Sequence, residues 1–207
     1  MGYDLAKIES VKAIKIKQNY KTDVQVQIKL TIKLKEEIDV QNISVKLVSN
    51  DSGFNQVDKR GLIKYRELRE IPDDVFNLLQ YFCGEKIPYK EGTRDARRMF
   101  ITEMTSEEQD KILQFFKEKK MLIVSDILRG RCEFCAERML VVKKTSYYER
   151  VLKSINEVMN FYGNGEVLIS PQGSLKIGKI TMQRKGGDGG RETAKMLQFK
   201  IDPTELF

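Results

Sequence analysis

The sequence predicts a mixed α/β protein in which helices flank a central mixed β-sheet. Residues 10–48 alternate apolar with polar side chains, a pattern typical of strands. Residues 58–82 change to a helical spacing, and residues 167–201 return to short apolar runs separated by turn residues. The 207 residues suffice for one domain with a sizeable core, and no repeat or long linker divides them. We therefore predict a single domain over residues 1–207.

The N-terminal part predicts three strands of a hairpin or meander. They cover residues 11–16, 24–34 and 43–48, where apolar side chains recur at every second position. Residues 19–22 and 36–42 lie between these strands and are the expected turns. In such an arrangement, side chains on neighbouring strands can project into one shared site.

Helices and further short strands are predicted for the rest of the chain. Thr105-Ser-Glu-Glu has a hydroxyl at the capping position and acids in the first turn, which is typical of a helix start. Gly163 is the expected end of a later helix. The predicted helices cover residues 58–82 with a break at Pro72, 105–120 and 147–162, and the predicted strands cover 121–124, 139–143, 167–169, 176–182 and 197–201.

The charge of the chain favours an anionic partner. Thirty-seven basic residues stand against 30 acidic ones, which gives a net charge of +7 and a pI of about 9.2. Nucleic acid is the first candidate for such a partner. No stretch approaches the roughly 18 apolar residues of a membrane span, so no membrane partner is expected.

The cysteines predict a reducing compartment. There are three, an odd number, and the sequence shows no signal peptide, which together indicate the cytoplasm. Cys132 and Cys135 form a CxxC, but no second pair and no histidine complete a zinc site. We interpret these two residues as ordinary thiols.

The absence of histidine narrows the chemistry. It excludes histidine-dependent nucleases, serine-type triads and most zinc catalysis. Asp23 opens one predicted strand and Lys46 lies on another, a reduced form of the Pro-Asp…(Asp/Glu)-x-Lys nuclease signature. In that signature the carboxylate holds Mg²⁺ and the lysine orients or activates a water. A solvated ion pair between Asp23 and Lys46 is the alternative.

Two segments are candidates for binding DNA. After Lys46 the chain carries Phe54, Asn55, Gln56 and Lys59. Phe54 could act as a wedge between base steps, and the two amides can pair with base edges. Lys59 adds a cation that can reach phosphate or guanine. A core anchor under a loop is the alternative for Phe54.

The second segment, residues 170–200, carries seven basic and two acidic residues and a glycine-rich stretch without Walker spacing. Its candidate DNA contacts are Ser170, Gln172, Arg184, Lys185 and Arg191. A flexible, solvated loop is the alternative for this stretch.

Several long, irregular stretches of the chain are more specific than a short motif. These are residues 43–59, Arg97-Arg-Met-Phe, Asp126-Ile-Leu-Arg-Gly-Arg131, Ile155-Asn-Glu-Val158 and the tail over residues 183–194 and 197–207. Through these stretches nearly the whole chain resembles the HinP-type restriction endonucleases, small type II enzymes that cut GCGC.

This resemblance implies a PD-(D/E)XK restriction-endonuclease-like fold and Mg²⁺-dependent cleavage of double-stranded DNA after the first G of GCGC. Asp23 falls on the metal-binding aspartate, Lys46 on the lysine and Phe54 on an intercalating aromatic residue. Gln56 and Lys59 fall on DNA contacts. The family has Gln two residues before the lysine, where this chain has Ser44. The family's preceding N-terminal helix is expected to be missing here.

The resemblance and the residues together predict a type II restriction endonuclease. Asp23, assisted by Ser44, holds the metal and Lys46 positions the attacking water, which gives 5′-phosphate and 3′-hydroxyl ends. A cytosine methyltransferase is the expected genetic partner, and a homodimer is left open. The alternatives are an impaired or inactive DNA-binding homologue and, in a third class, an RNA-binding protein.

Overall fold

The structure is a computed structural model that describes residues 2–17, 21–32, 35–49, 53–131, 133–144, 148–187 and 191–207. The strands in these ranges are β1 (Ile8–Lys15), β2 (Val24–Ile32), β3 (Lys35–Val48), β4 (Asn55–Arg60), β5 (Arg138–Lys144), β6 (Tyr148–Ser154), β7 (Val167–Ile169), β8 (Leu175–Ile177), β9 (Ile180–Arg184) and β10 (Leu197–Ile201). The α-helices are α1 (Leu62–Arg69), α2 (Asp73–Cys83), α3 (Ser106–Glu118), α4 (Lys120–Leu128) and α5 (Ile155–Gly163).

The contacts within the chain divide it into two compact units. The first unit contains Met1–Gly53, Leu128–Met159 and Asp202–Phe207. The second unit contains Phe54–Ile127 and Asn160–Ile201. The expectation of a single restriction-endonuclease-like domain stays a prediction, because a division by contacts does not test it.

The first unit is built on a five-stranded mixed sheet with the order β1-β2-β3-β5-β6. Strands β3 and β5 are parallel, and the other neighbours are antiparallel. Strand β3 is central, and its buried Ile43 and Val48 join Ile28, Met139 and Val141 in the core. The mixed α/β fold class predicted from the sequence is thereby confirmed.

The second unit contains a five-stranded antiparallel sheet with the order β4-β10-β9-β8-β7. Helices α1, α2 and α3 contribute Leu62, Tyr65, Phe82 and Phe116 to its buried core. The ring of Tyr65 meets that of Phe199 edge-on at 5.4 Å. Among the described residues, β4 pairs with β10 alone and is therefore an edge strand of this sheet.

Several predicted elements are wrong. The predicted strand 176–182 is two strands, β8 and β9, which pair with each other as a hairpin. The apolar run 121–124 lies in helix α4 rather than in a strand. Ile123 and Val124 are buried while Met121 is 69% exposed, so the burial follows a helical period that a run of four apolar residues conceals. The segment 36–42 is not a turn, because β3 starts at Lys35 and pairs with β2 over residues 35–43.

The predicted helix 147–162 is a strand followed by a shorter helix. Residues 148–154 form β6, which pairs with β5 at each position, and α5 begins only at Ile155. Similarly, residues 58–60 belong to β4, and the first helix begins at Leu62. In the part of the chain that the structure describes, no helix is both long and apolar enough to cross a bilayer.

Candidate functional site

Asp23 stands at the start of β2, where the first unit brings three strands together. Its backbone N–H donates to the carbonyl of Ile43 at 2.9 Å, and its carbonyl accepts from the N–H of Ile16 at 3.1 Å. The preceding Thr22 is buried, and its hydroxyl donates to the carbonyl of Phe134 at 2.8 Å. The backbone at Asp23 is therefore anchored from both neighbouring strands.

The carboxylate of Asp23 is oriented by strand β3. Its Oδ2 accepts the backbone N–H of Val45 at 2.6 Å and the hydroxyl of Ser44 at 3.4 Å. Strand β2 begins only after Asp23, so the backbone of β2 does not reach the N–H of Val45 on β3. The carboxylate of Asp23 accepts that N–H instead. Within the described residues, Oδ1 accepts no hydrogen bond and is free to bind a cation.

Ser44 and Lys46 lie two residues apart on β3 and so face the same side of the sheet. Their partners on β5 are Met139 and Val141, both fully buried. Ser44 is itself buried, so this face of β3 turns toward the core. A lysine on a core-facing position is unusual in a strand whose only role is structural.

Lys46 lies half-buried beside Asp23. Burial lowers the pKa of the Lys46 ammonium group, and the negative charge of Asp23 partly opposes that effect. In the described ranges the ammonium group forms no hydrogen bond and no ion pair. The structure therefore brings Asp23, Ser44 and Lys46 together, as the sequence predicted, and leaves the lysine available to another molecule.

The donor set at Asp23 fits a small, hard cation. Across the ranges given above, no group of three or more His, Cys, Asp or Glu side chains could hold a metal ion. Mg²⁺ does not need such a group, since it keeps several waters and binds one or two carboxylates together with substrate phosphates. The Oδ1 atom of Asp23 supplies the carboxylate, and the Ser44 hydroxyl is the next oxygen on the same face.

The residues predicted to contact DNA after Lys46 lie in the second unit, where Phe54 directly precedes the edge strand β4 and the other three lie on it. Phe54 is 65% exposed, which excludes its alternative interpretation as a core anchor. Asn55, Gln56 and Lys59 belong to β4, with Gln56 exposed and the other two half-buried. Residues 50–52 of the same predicted segment lie outside the described residues.

The second unit also contains a cleft of about 860 Å³ that collects most of the tail residues predicted to bind DNA. Gln172, Arg184, Lys185 and Arg191 all line it. Its charged lining residues are Arg97, Arg98, Arg184, Lys185, Arg191 and Lys195 against Glu85 and Asp95. This excess of positive charge suits a polyanion.

Two of the predicted tail contacts are largely occupied within the protein. Ser170 is buried, and its hydroxyl accepts the backbone N–H of Ser174 at 3.1 Å, which closes a turn. The side chain of Arg184 is 8% exposed and donates from Nε to the carbonyl of Ala194 at 2.9 Å. Glycines 189 and 190 of the glycine-rich stretch lie outside the described residues.

Sequence reasoning assigned no role to Arg97 and Arg98, which also line the cleft. The feature of the sequence that could have revealed them is the presence of three arginines within five residues of the loop between α2 and α3.

The structure describes one of the two cysteines of the CxxC. The thiol of Cys135 donates to the carbonyl of Gly130 at 3.5 Å, and Cys132 lies outside the described residues.

Comparisons with known proteins bear on the family and the fold. The family model of the R.HinP1I restriction endonuclease matches residues 1–207, the whole chain. The restriction endonuclease MspI, solved in complex with its cognate DNA, superposes with a TM-score of 0.65 at 12% identity. That superposition covers 95% of this chain and 72% of MspI, and at such an identity it shows the fold alone.

A third similarity is partial. Over 91 residues the chain is 30% identical to a peptidyl-tRNA hydrolase of Caldicellulosiruptor bescii, which covers 42% of this chain. The match spans about half of that relative, 48% of its length.

The whole-chain family match agrees with the resemblance found in the sequence, and the superposition confirms a restriction-endonuclease fold. The chain belongs to the R.HinP1I restriction endonuclease family.

Proposed function

We propose that this protein is a type II restriction endonuclease that uses Mg²⁺ to hydrolyse double-stranded DNA at GCGC or a closely related site. The observation that carries the proposal is the convergence of Asp23, Ser44 and Lys46 on neighbouring strands of one sheet. Family membership supports nuclease chemistry, and the long matches to GCGC-cutting enzymes support the site and a cut after the first G.

In this mechanism a water attacks the phosphorus in line, and the 3′-oxygen leaves, which gives 5′-phosphate and 3′-hydroxyl ends. A bound Mg²⁺ supplies Lewis acidity and lowers the pKa of water in its coordination shell. The role of Asp23 is to hold this ion through Oδ1, while the N–H of Val45 and the Ser44 hydroxyl keep Oδ2 in place. This is a PD-(D/E)XK site in which Ser44 replaces the usual ligand of the second position.

Lys46 positions the attacking water and offsets the charge that develops on the phosphate. Its ammonium group has no hydrogen bond or ion pair to give up, within the described residues, before it can do so. Burial lowers its pKa, so the proton is released more easily than from a lysine in water.

DNA binding is proposed for the second unit. Phe54 is exposed enough to enter a base step, and Asn55, Gln56 and Lys59 follow it on β4. The cleft with Gln172, Arg184, Lys185 and Arg191 supplies electrostatic attraction to the backbone. Ser170 enters the proposal only through the turn that it closes beside Gln172. The structure of MspI was solved in complex with its cognate DNA, and this supports duplex DNA as the ligand.

Further parts of the proposal rest on other grounds. The cytoplasmic location rests on the cysteine content. The cytosine methyltransferase, encoded nearby to protect the host site, rests on the resemblance alone, and a homodimer stays open. An inactive DNA-binding homologue is the alternative, because Ser44 is a weaker ligand than a carboxylate or an amide oxygen. RNA binding is a third candidate, and the partial match to a peptidyl-tRNA hydrolase supports it.

The proposal is tested by plasmid cleavage. We expect the purified protein with Mg²⁺ to linearise a supercoiled plasmid that carries one GCGC site and to leave a GCGC-free plasmid intact. Asp23→Asn keeps the size of the side chain but removes its charge, and should lower the rate by at least about a hundredfold. Asp110→Asn, an exposed change on α3, is the matched control and should cut like the wild type.

Two outcomes would contradict the proposal. If Asp23→Asn cuts at the wild-type rate, the metal site is placed wrongly. If the wild type binds the duplex but never cuts it in Mg²⁺, the inactive homologue is the better account. A single-stranded RNA that outcompetes the GCGC duplex would favour the RNA-binding class instead.

A further inference from the structure

The second unit contains a group of four arginines, of which the proposed function gives a role only to Arg184. Arg94, Arg97 and Arg98 lie on the loop between α2 and α3, and Arg184 ends β9. We refer to these four residues as the arginine cluster. Three of them share Asp95, whose Oδ2 lies 3.2 Å from Nη2 of Arg97, 3.5 Å from Nη1 of Arg184 and 3.8 Å from Nε of Arg98.

The cluster is held in place by an aromatic ring as well as by a carboxylate. The guanidinium carbons of Arg94 and Arg98 lie 3.9 Å and 4.1 Å from the ring centroid of Phe100. Arg98 also lies 5.8 Å from the ring of Phe82. Stacking of this kind fixes the plane of a guanidinium group and leaves its N–H edge free to donate.

Among the residues that the structure describes, the acidic groups beside the cluster do not balance its charge. Each guanidinium group has five N–H donors, whereas a carboxylate has about four acceptor positions. Asp95 serves three arginines, and Arg94 has Glu103 at 3.5 Å. The Nε of Arg98 is buried and, within the described residues, has no hydrogen-bond acceptor.

Burial and the neighbouring Arg184 both lower the pKa of Arg98. A buried N–H that has no hydrogen-bond acceptor among the described residues, next to cations that repel each other, is unfavourable until an anion binds.

The cluster opens onto the large cleft. Arg97, Arg98 and Arg184 line it together with Lys185, Arg191 and Lys195. Their side chains differ in access: Arg97 is 74% exposed at the rim, Arg98 is 16% exposed and Arg184 is 8% exposed. A volume of about 860 Å³ with cations along its lining exceeds the needs of one free phosphate and suits a run of phosphates in a strand.

We propose that Arg97 and Arg98 bind a backbone phosphate of DNA in this cleft and that Asp95 is the positioning residue that holds them ready. The inference rests on the proposed function, since it takes duplex DNA as the ligand. Arginine suits the task because its planar group donates two parallel hydrogen bonds to phosphate oxygens. Asp95 and Phe100 fix the two side chains beforehand, so binding restricts fewer rotamers.

The experiment measures binding rather than cleavage. Arg97→Gln and Arg98→Gln are compared with the wild type on a GCGC duplex and on a random duplex of equal length, in EDTA, over a series of salt concentrations. We expect each substitution to weaken binding to both duplexes by about tenfold. The slope of log K against log salt should become shallower by about 0.9 for each phosphate that the variant no longer neutralises.

Lys111→Gln is the matched control, because it removes the same charge from an exposed position on α3 outside the cleft. It should leave the salt slope unchanged. Arg98→Lys should restore the slope but not the full affinity, since lysine is a point charge without the paired donors. Arg97 is exposed, so Arg97→Gln keeps the test decisive even if Arg98→Gln disturbs the packing on Phe100.

The inference is overturned if the wild type binds the duplex while both arginine variants keep its affinity and salt slope. It is also overturned if inorganic phosphate binds the wild type and the duplex does not compete for that site. A wild type that binds no duplex at all is a different result, because it refutes the proposed function itself.

Discussion

At the scale of the residue, the candidate site depends on how β3 presents two polar side chains to a face that is otherwise core. Ser44 is 2% exposed and donates to Asp23, while Lys46 carries no partner within the described residues. The sequence predicted this association from the residue types and the strand pattern. It could not predict that Ser44 orients the carboxylate, because that role depends on the register in which the backbone N–H of Val45 also reaches Asp23.

Ser44→Ala tests the orienting role. The Asp23 carboxylate would keep the N–H of Val45 and lose the hydroxyl, so the free energy of unfolding should fall by only about 1 kcal/mol. The single-turnover rate on a GCGC duplex should fall by about tenfold, and the Mg²⁺ concentration at half-maximal rate should rise. Ser106→Ala, at an exposed position, is the control. An unchanged rate and Mg²⁺ requirement would show that the Ser44 hydroxyl does not serve the site.

Lys46→Met tests whether this lysine is kept for function at the expense of stability. Because burial lowers its pKa below the ordinary value of 10.5, its protonated form favours the unfolded chain at neutral pH. The substitution should abolish cleavage and raise the free energy of unfolding at pH 7 by about 0.5–2 kcal/mol. The gain should shrink as pH rises through the folded pKa and vanish above 10.5, where unfolded lysine is also neutral.

Denaturant unfolding across this pH range checks the expectation, with Lys111→Met as the exposed control. If the gain in the free energy of unfolding does not change with pH, the added stability comes from the packing of the methionine and not from the loss of the lysine charge. A loss of stability at pH 7 would show that the charge of Lys46 is well compensated in the fold.

At the scale of the element, the sequence predicted most strands but confused them with helices where the pattern was short or charged. The start of α3 is confirmed in detail, since Thr105 and Glu108 form the reciprocal capping bonds expected from the sequence. The run 121–124 misled because four apolar residues fit either period. The burial of Ile123, Val124, Ile127 and Leu128, with Met121 exposed, follows the period of a helix. Strand β6 was missed because its charged sequence is exposed in its first half and shows no alternation of buried and exposed residues, so only its pairing with β5 reveals a strand.

Strand β4 carries the prediction for base recognition. Phe54→Ala should leave folding intact, because the ring is 65% exposed, but should weaken binding to the GCGC duplex. Gln56→Ala should reduce the discrimination between GCGC and random duplex by about 1–3 kcal/mol. Ile63→Ala, 50% exposed on α1, is the matched control for loss of surface apolar area. If Gln56→Ala weakens both duplexes equally, Gln56 contacts the backbone and not a base.

At the scale of the whole molecule, we propose that one unit contains the catalytic site and the other the DNA-binding surfaces. The first holds Asp23, Ser44 and Lys46 in a mixed sheet, and the second holds β4 and the basic cleft. The sequence predicted the α/β class and the family, because these depend on pattern and on long matching stretches. It could not predict the cleft, because Arg98 and Arg184 lie far apart in the chain and the fold brings both to the carboxylate of Asp95.

The central claim is that the site at Asp23 cuts GCGC in a metal-dependent reaction. The most direct measurement is mass spectrometry of the products from a 20-base-pair duplex with one central GCGC, incubated with the purified protein in Mg²⁺ or in EDTA. We predict two fragments in Mg²⁺ that end at the first G with a 3′-hydroxyl and begin at the next C with a 5′-phosphate, and none in EDTA. Fragments that form equally in EDTA, or a duplex that stays intact in Mg²⁺ although it is bound, would contradict the account.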